Sequence, residues 1–292
     1  MIEMKLQGCG TALITPFRDG KVDYDAYRVL VRRQLDAGVD FLVPLGTTAE
    51  TPCLDNEEKC NLLRITRELC GDTPLLVGAG TNSLAQTIAN IKMLEPCGAD
   101  AFLIVVPYYN KPTQDGIYEY FKAVAASTSK GIVAYNVPGR TGANMTAATT
   151  LRVAQIPNVI AVKEASGNLA QIIDVLRDAP EGFSVFSGND DQTWPLMACG
   201  AAGVISVASN VAPGKMVELV RAAGQGDMAR AMKLNMELVP LFKNCFVESN
   251  PIPVKAALSA MGFCTPEMRL PLTAASAATT EIMKKTIEEL GI

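Results

Sequence analysis

The sequence predicts an α/β protein of the (β/α)8 TIM-barrel class with a C-terminal extension of three helices. Three observations carry that expectation. Eight short apolar runs recur, at residues 11–14, 41–44, 75–78, 101–106, 132–135, 159–162, 184–187 and 203–207. Amphipathic, helix-periodic segments separate them, and repetition of strand, helix, strand implies parallel strands joined by right-handed crossovers. Eight such units in roughly 220 residues suit a closed barrel better than an open sheet. A doubly wound sheet is the alternative. The third observation is a change of pattern after Ala223, where no further strand intervenes.

In chain order, helical patterns occupy residues 24–36, 57–70, 84–96, 116–127 and 169–177. The segments between the last runs are shorter, and 191–199 barely makes a helix. Gly224-Gln225-Gly226-Asp227 has the composition of a turn ending in a helix N-cap. Helical patterns follow at 228–247, 251–261 and 279–290. The expected division is a catalytic barrel over 1–224 and a helical extension over 225–292.

Composition narrows the function. Of the 292 residues 49% are hydrophobic and 19% charged, which suits a soluble globular chain with a large core. The net charge of −4, without a basic block, disfavours nucleic acid as a partner. No apolar stretch reaches the roughly 18 residues that span a bilayer. The first five residues, Met1-Ile2-Glu3-Met4-Lys5, lack a signal-peptide pattern. The eight cysteines are scattered with no CxxC pair, as expected of reduced thiols in a cytoplasmic protein. There is no histidine, so His-based triads, HExxH zinc sites and imidazole general bases are excluded. Proton transfer falls to Tyr, Lys, Asp, Glu, Cys or the substrate, and no metal or other cofactor is expected.

In a barrel the loops after the strands build the active site. The most informative stretch is Val159-Ile160-Ala161-Val162-Lys163-Glu164-Ala165-Ser166-Gly167. It has the pattern of a buried strand ending on a lysine and breaking into a glycine-bearing loop. An ammonium at such a rim loses solvation and its pKa falls, which makes the amine a nucleophile for carbonyls. A lysine snorkelling to solvent is the plainer alternative. After the second run, Gly46-Thr47-Thr48-Ala49-Glu50 offers hydroxyls and amides to a carboxylate, or is an ordinary helix-capping turn.

The fourth run ends in Pro107-Tyr108-Tyr109-Asn110, suited to a substrate loop, a subunit contact or both. The fifth ends in Tyr135-Asn136-Val137-Pro138-Gly139-Arg140-Thr141. There Tyr135 can relay protons, and Arg140 can fork onto a carboxylate or simply face solvent. The seventh ends in Ser187-Gly188-Asn189-Asp190-Asp191, whose acids argue against a phosphorylated substrate. Asp190-Asp191 suits a helix cap better than a metal site. Gly78-Ala79-Gly80-Thr81-Asn82-Ser83 imitates a dinucleotide loop but lacks the third glycine, and Asp100 precedes the next run instead of ending it.

Taken together, these segments resemble the family that includes dihydrodipicolinate synthase and N-acetylneuraminate lyase, pyruvate-dependent class I aldolases on a (β/α)8 barrel. The resemblance covers nearly the whole chain. It is carried by Gly46-Thr47-Thr48-Ala49-Glu50, where Ala49 departs from the common glycine, by Tyr135-Asn136-Val137-Pro138-Gly139-Arg140-Thr141, by Val162-Lys163-Glu164-Ala165, and by Asn250-Pro251-Ile252-Pro253-Val254-Lys255.

The resemblance implies that Lys163 forms a Schiff base with pyruvate and that the resulting enamine attacks L-aspartate 4-semialdehyde, a step toward diaminopimelate and lysine. It implies a proton relay of Tyr135, Thr47 and Tyr109, the last from a neighbouring subunit of a homotetramer. It assigns Thr47 and Thr48 to the pyruvate carboxylate, Arg140 to the semialdehyde, and Gly188 and Ile205 to the pocket lining. Sialic acid lyases and sugar-acid aldolases of the family would share Lys163 and Tyr135. The former usually carry GST at the Thr47 turn and lack a counterpart of Arg140. A small-molecule-sensing regulatory protein is the non-catalytic alternative. Lysine-inhibited relatives usually carry a glutamate matching Gln86 and histidines matching Asn56 and Lys59, so weak or absent lysine feedback is expected.

Overall fold

A computed structural model describes residues 6–292. Residues 1–5, on which the signal-peptide expectation falls, lie outside the described residues. Eight parallel strands form the barrel: β1 (Gly8–Ala12), β2 (Phe41–Val43), β3 (Leu76–Gly78), β4 (Ala101–Val105), β5 (Gly131–Asn136), β6 (Val159–Glu164), β7 (Ser184–Ser187) and β8 (Gly203–Ser206). Hydrogen-bonded neighbours run β2-β1-β8-β7-β6-β5-β4-β3. The ring closes between β2 and β3 through a parallel bridge of Leu42 with Leu75 and a bond from the Gly78 amide to the Pro44 carbonyl at 3.0 Å.

Helices cover the outside: α1 (Tyr24–Asp36), α2 (Asn56–Cys70), α3 (Leu84–Leu94), α4 (Gln114–Ala125), α5 (Ala147–Val153), α6 (Leu169–Asp178), α7 (Thr193–Ala198) and α8 (Pro213–Gly224). Then come α9 (Met228–Asn244), α10 (Ile252–Ala260) and α11 (Ala277–Leu290). Polar caps start several of them. Asp23 accepts the Ala26 amide at 3.0 Å, Asp55 and Glu58 form a reciprocal capping box, and Asp227 accepts the Arg230 amide at 3.0 Å. Helix α3 stops at Leu94, before Pro96, and a 3-10 turn over Glu95–Cys97 follows.

Two apolar layers follow from strand alternation. Outward residues such as Ile132, Ala134 and Val162 pack against the helices. Inward residues such as Phe41, Leu103, Val133, Ala161, Phe186 and Ile205 fill the barrel. Phe41 and Phe186 meet edge to face there, with centroids 5.5 Å apart. Strand β1 begins three residues before the expected run because its glycines make room for neighbours. A Cβ on Gly10 would lie 2.1 Å from the Phe41 ring. The dinucleotide-like loop after β3 is explained the same way: a Cβ on Gly78 would lie 1.8 Å from the Leu45 carbonyl oxygen, and one on Gly80 would lie 2.6 Å from the Val105 amide.

Among the described residues no helix is long and apolar enough to cross a membrane. All eight cysteines are free thiols.

Candidate active site

The β5–β6 pair sets the centre of the site. Inward Val133 and Ala161 are each followed two residues later by Tyr135 and Lys163, which are register partners at the C-terminal rim. The next pair, Asn136 and Glu164, turns outward. Glu164 is buried and accepts the Asn136 amide group at 3.0 and 3.2 Å and the Ser166 amide at 2.7 Å. That network ties β6 to its loop and leaves Lys163 as the basic group facing inward.

Lys163 is only 5% exposed. Among the described residues its Nζ makes no protein hydrogen bond, yet it stays open to a small pocket of about 50 Å³. Burial pulls its pKa down to about 8; Asp190 opposes the fall and Arg140 adds to it. Nζ lies 4.5 Å from the centroid of the Tyr135 ring. Burial raises the Tyr135 pKa against the opposing influence of Arg140 and Thr47. Thr47, Thr48, Arg140 and Gly188 line the same pocket. It shares Gly46, Thr47, Leu103, Tyr135, Val137 and Arg140 with a larger cavity of about 330 Å³ that runs out past Tyr108. The smaller space holds the lysine, and the larger one adjoins it.

The turn after β2 supplies donors. Residues Thr47–Ala49 form a 3-10 turn in which the Ala49 amide donates to Gly46 and the Glu50 amide to Thr47, both at 3.1 Å. Among the described residues the Thr47 and Thr48 amides donate to nothing, so both are free for an anion. Ala49 lies outside the left-handed region, so its methyl carries no backbone penalty. Its carbonyl is held by the Thr15 hydroxyl at 2.8 Å.

Arg140 sits on the short helical turn Pro138–Thr141 after β5. That turn is closed by Gly142 at φ 70, whose amide donates to the Pro138 carbonyl at 2.9 Å. Gly188 lets the β7 loop approach β6: its amide donates to the Glu164 carbonyl at 2.7 Å, and a Cβ there would lie 2.6 Å from that of Ala165. Ile205, expected in the lining, is instead buried in the inner cluster, and Val207 lines the pocket.

Tyr109 stands apart from the others. It is 87% exposed on left-handed backbone at φ 74, and its amide donates to the Thr141 carbonyl at 3.1 Å. The site therefore collects Lys163, Tyr135, Thr47, Thr48, Arg140 and Gly188 within one subunit, but not Tyr109.

Two further site residues went unassigned in the sequence reading. Asn250 donates to the Thr48 hydroxyl at 3.0 Å, and Phe246 reaches the pocket from beyond α9. The Asn250-Pro251-Ile252-Pro253 run was the signal for the first. Asp190 does not cap a helix with its side chain. One of its oxygens accepts the Val207 and Ala208 amides at 3.1 and 2.9 Å, joining the β7 and β8 loops, and the other is buried without a partner.

The dihydrodipicolinate synthetase family model matches residues 5–290. A 4-hydroxy-tetrahydrodipicolinate synthase of Thermotoga neapolitana is 47% identical over 98% of this chain and 99% of its own. That of Koribacter versatilis is 48% identical over 99% and 97%. The crystal structure of dihydrodipicolinate synthase from Thermotoga maritima superposes with a TM-score of 0.97 at 46% identity, covering 99% of each chain.

Proposed function

The chain belongs to the dihydrodipicolinate synthetase family, and from that premise we propose that Lys163 is the amine through which it works. The activity is that of a 4-hydroxy-tetrahydrodipicolinate synthase, a Schiff-base lyase that condenses pyruvate with L-aspartate 4-semialdehyde in lysine biosynthesis. The observation that carries the role of Lys163 is an inward, buried amine facing an open pocket, where burial lowers its pKa to about 8.

In our reading neutral Nζ adds to the keto carbon of pyruvate, and loss of water leaves an iminium. The iminium draws electrons from the methyl group, so that a proton leaves and an enamine forms. The enamine carbon bonds to the aldehyde carbon of the second substrate, and the aldehyde oxygen takes up a proton. Tyr135, register partner of Lys163, is placed to move these protons, with Thr47 beside it. The free amides of Thr47 and Thr48 hold the pyruvate carboxylate. Arg140 holds the semialdehyde carboxylate, and Gly188 lines the pocket where the β7 loop packs against Ala165.

We further propose that Tyr109 completes the relay in a neighbouring subunit of a homotetramer built as a dimer of dimers. An 87% exposed tyrosine on left-handed backbone, beside Tyr108 at 37%, supports that reading. We place the protein in the cytoplasm, where eight free thiols stay reduced. We assign residues 1–224 to the catalytic barrel and 225–292 to the extension. We also propose that L-lysine is a weak effector or none.

Comparing acceptors tests the assignment. With pyruvate present, aspartate semialdehyde should be consumed, and N-acetylmannosamine and glyceraldehyde should not. Preferred turnover of either sugar would move the chain to another aldolase branch of the family. No turnover of any of the three would favour a sensing protein.

A further inference from the structure

Lys255, on α10, is a fully buried cation that the reaction leaves unused. Its Nζ donates to Glu50 Oε1 at 2.5 Å and to the Glu267 carbonyl at 2.9 Å, and neither charged side chain is exposed at all. The second oxygen of Glu50 accepts the Arg269 amide at 3.1 Å. Arg269 forks onto Glu58 with two contacts of 2.7 Å. Lys255 Nζ and the Arg269 guanidinium carbon lie 4.3 and 4.5 Å from the centroid of Phe17. Burial lowers the Lys255 pKa, and Glu50 opposes the fall. Buried ion pairs carry a large desolvation cost and are weak evidence for stability, but they can specify geometry.

The geometry specified here is that of the turn carrying the free amides. Glu50 closes the Thr47–Ala49 turn with left-handed backbone, φ 54 and ψ 36, which a residue with a Cβ adopts at a cost. Its side chain is clamped from beyond α9 by Lys255 and the Arg269 amide. Thr48 is held from the same region by Asn250. Lys255 lines neither cavity of the site.

We propose that Lys255, acting through Glu50, is a positioning residue for the carboxylate-binding turn. The pair keeps Glu50 in its left-handed conformation and so sets the angle at which Thr47 and Thr48 meet the pyruvate carboxylate. This rests on assigning that turn to pyruvate. Loosening the turn weakens pyruvate binding and spares the acceptor, which Arg140 holds from a different loop.

The test compares the wild type with Lys255→Met and with the double variant Glu50→Gln/Lys255→Met, which strands no buried charge. For each, the pyruvate concentration giving half-maximal borohydride trapping on Lys163 is measured. The semialdehyde KM at saturating pyruvate and a circular-dichroism melt accompany it. Both variants should need about tenfold more pyruvate, since small displacements of a positioning group are costly. The semialdehyde KM should move by less than about twofold. Unchanged half-trapping in a folded variant overturns the proposal, and so do equal shifts for both substrates. If neither variant folds, the pair is a folding element and the positioning role is wrong. A wild type that traps no pyruvate removes the functional reading itself, and that result is known before any variant is made.

Discussion

Lys163 Nζ and the Tyr135 ring face each other across β5 and β6, 4.5 Å apart, on register-paired residues. The ring's face favours the ammonium slightly. Desolvation works in the opposite direction and wins, because the pKa falls to about 8. The Lys255 side chain is also fully buried, but its amine donates to the Glu50 carboxylate at 2.5 Å. Of these two buried lysines, Lys163 is the one whose amine is both unengaged and open to a cavity.

The first prediction follows from that contrast. Sodium borohydride with pyruvate should fix an adduct on the tryptic peptide carrying Lys163, and peptide mass mapping locates it. An adduct on Lys255 would refute the assignment. Lys163→Arg should abolish trapping and nearly all turnover, because a guanidinium does not deprotonate at working pH.

The pH profile gives the second. The attacking form is the neutral amine, so the rate of Schiff-base formation should rise with pH and level off above about 8. At pH 7 such an amine is neutral in roughly one molecule in ten, against about one in three thousand for an unperturbed lysine. Rapid-mixing measurement of adduct formation from pH 6 to 10 checks this. A rise that continues to pH 10 would show that Lys163 keeps an ordinary pKa.

Much of this architecture was legible beforehand. The run at 184–187 and the helix at 24–36 coincide with β7 and α1, because a short apolar run marks the strand and apolar periodicity marks the helix. Helices Ala147–Val153 and Pro213–Gly224 have no counterpart among the helical patterns expected from the sequence. The first is seven residues long with two adjacent threonines, which are weak helix formers. The Phe17–Arg18 and Lys21–Val22 hairpin is too short for alternation to show. Lys163, Tyr135, Thr47 and Arg140 were visible because each ends a strand or opens the loop after it. Lys255 and Asn250 act from more than 200 residues away in sequence, as |i−j| values of 205 and 202 show. The Asn250-Pro251-Ile252-Pro253 run flags the segment, but no local pattern shows which distant residue it meets.

The third prediction concerns metal. Electron withdrawal is expected from the iminium, and the chain has no histidine. Turnover should survive prolonged dialysis against EDTA. Loss of activity that zinc restores would contradict this.

The fourth concerns the acceptor. Arg140 rises from the Pro138–Thr141 turn into both cavities. Arg140→Ala should reduce kcat/KM for aspartate semialdehyde by the equivalent of about 2–4 kcal/mol, the scale of a lost charged contact. Half-maximal trapping by pyruvate should change little. Steady-state kinetics beside trapping separates the two, and equal losses would mark a structural role for the arginine.

The fifth concerns L-lysine. The family resemblance implies that inhibited relatives meet the ligand's ammonium with a glutamate, at a position expected to match Gln86. Its side chain is turned to Asn90, donating to Oδ1 at 2.9 Å. Lys59 lines the larger cavity and adds positive charge where a cationic ligand would approach. A unit charge pair at 4 Å is worth between about 1 and 4 kcal/mol, depending on how much water screens it. Exchanging an attraction of that size for a repulsion weakens binding strongly. Compensation by a nearby acid is limited, because Glu50 is committed to Lys255 and the Arg269 amide, and Glu58 to the Arg269 guanidinium. Glu57, in the first turn of α2, remains the acid able to restore the balance. Initial rates titrated with L-lysine should therefore stay near the uninhibited value until the ligand passes the millimolar range. Half-inhibition below that range would show that an acid supplies the missing charge; loss of that inhibition in Glu57→Gln would identify Glu57 as the acid, and its persistence would point to another one.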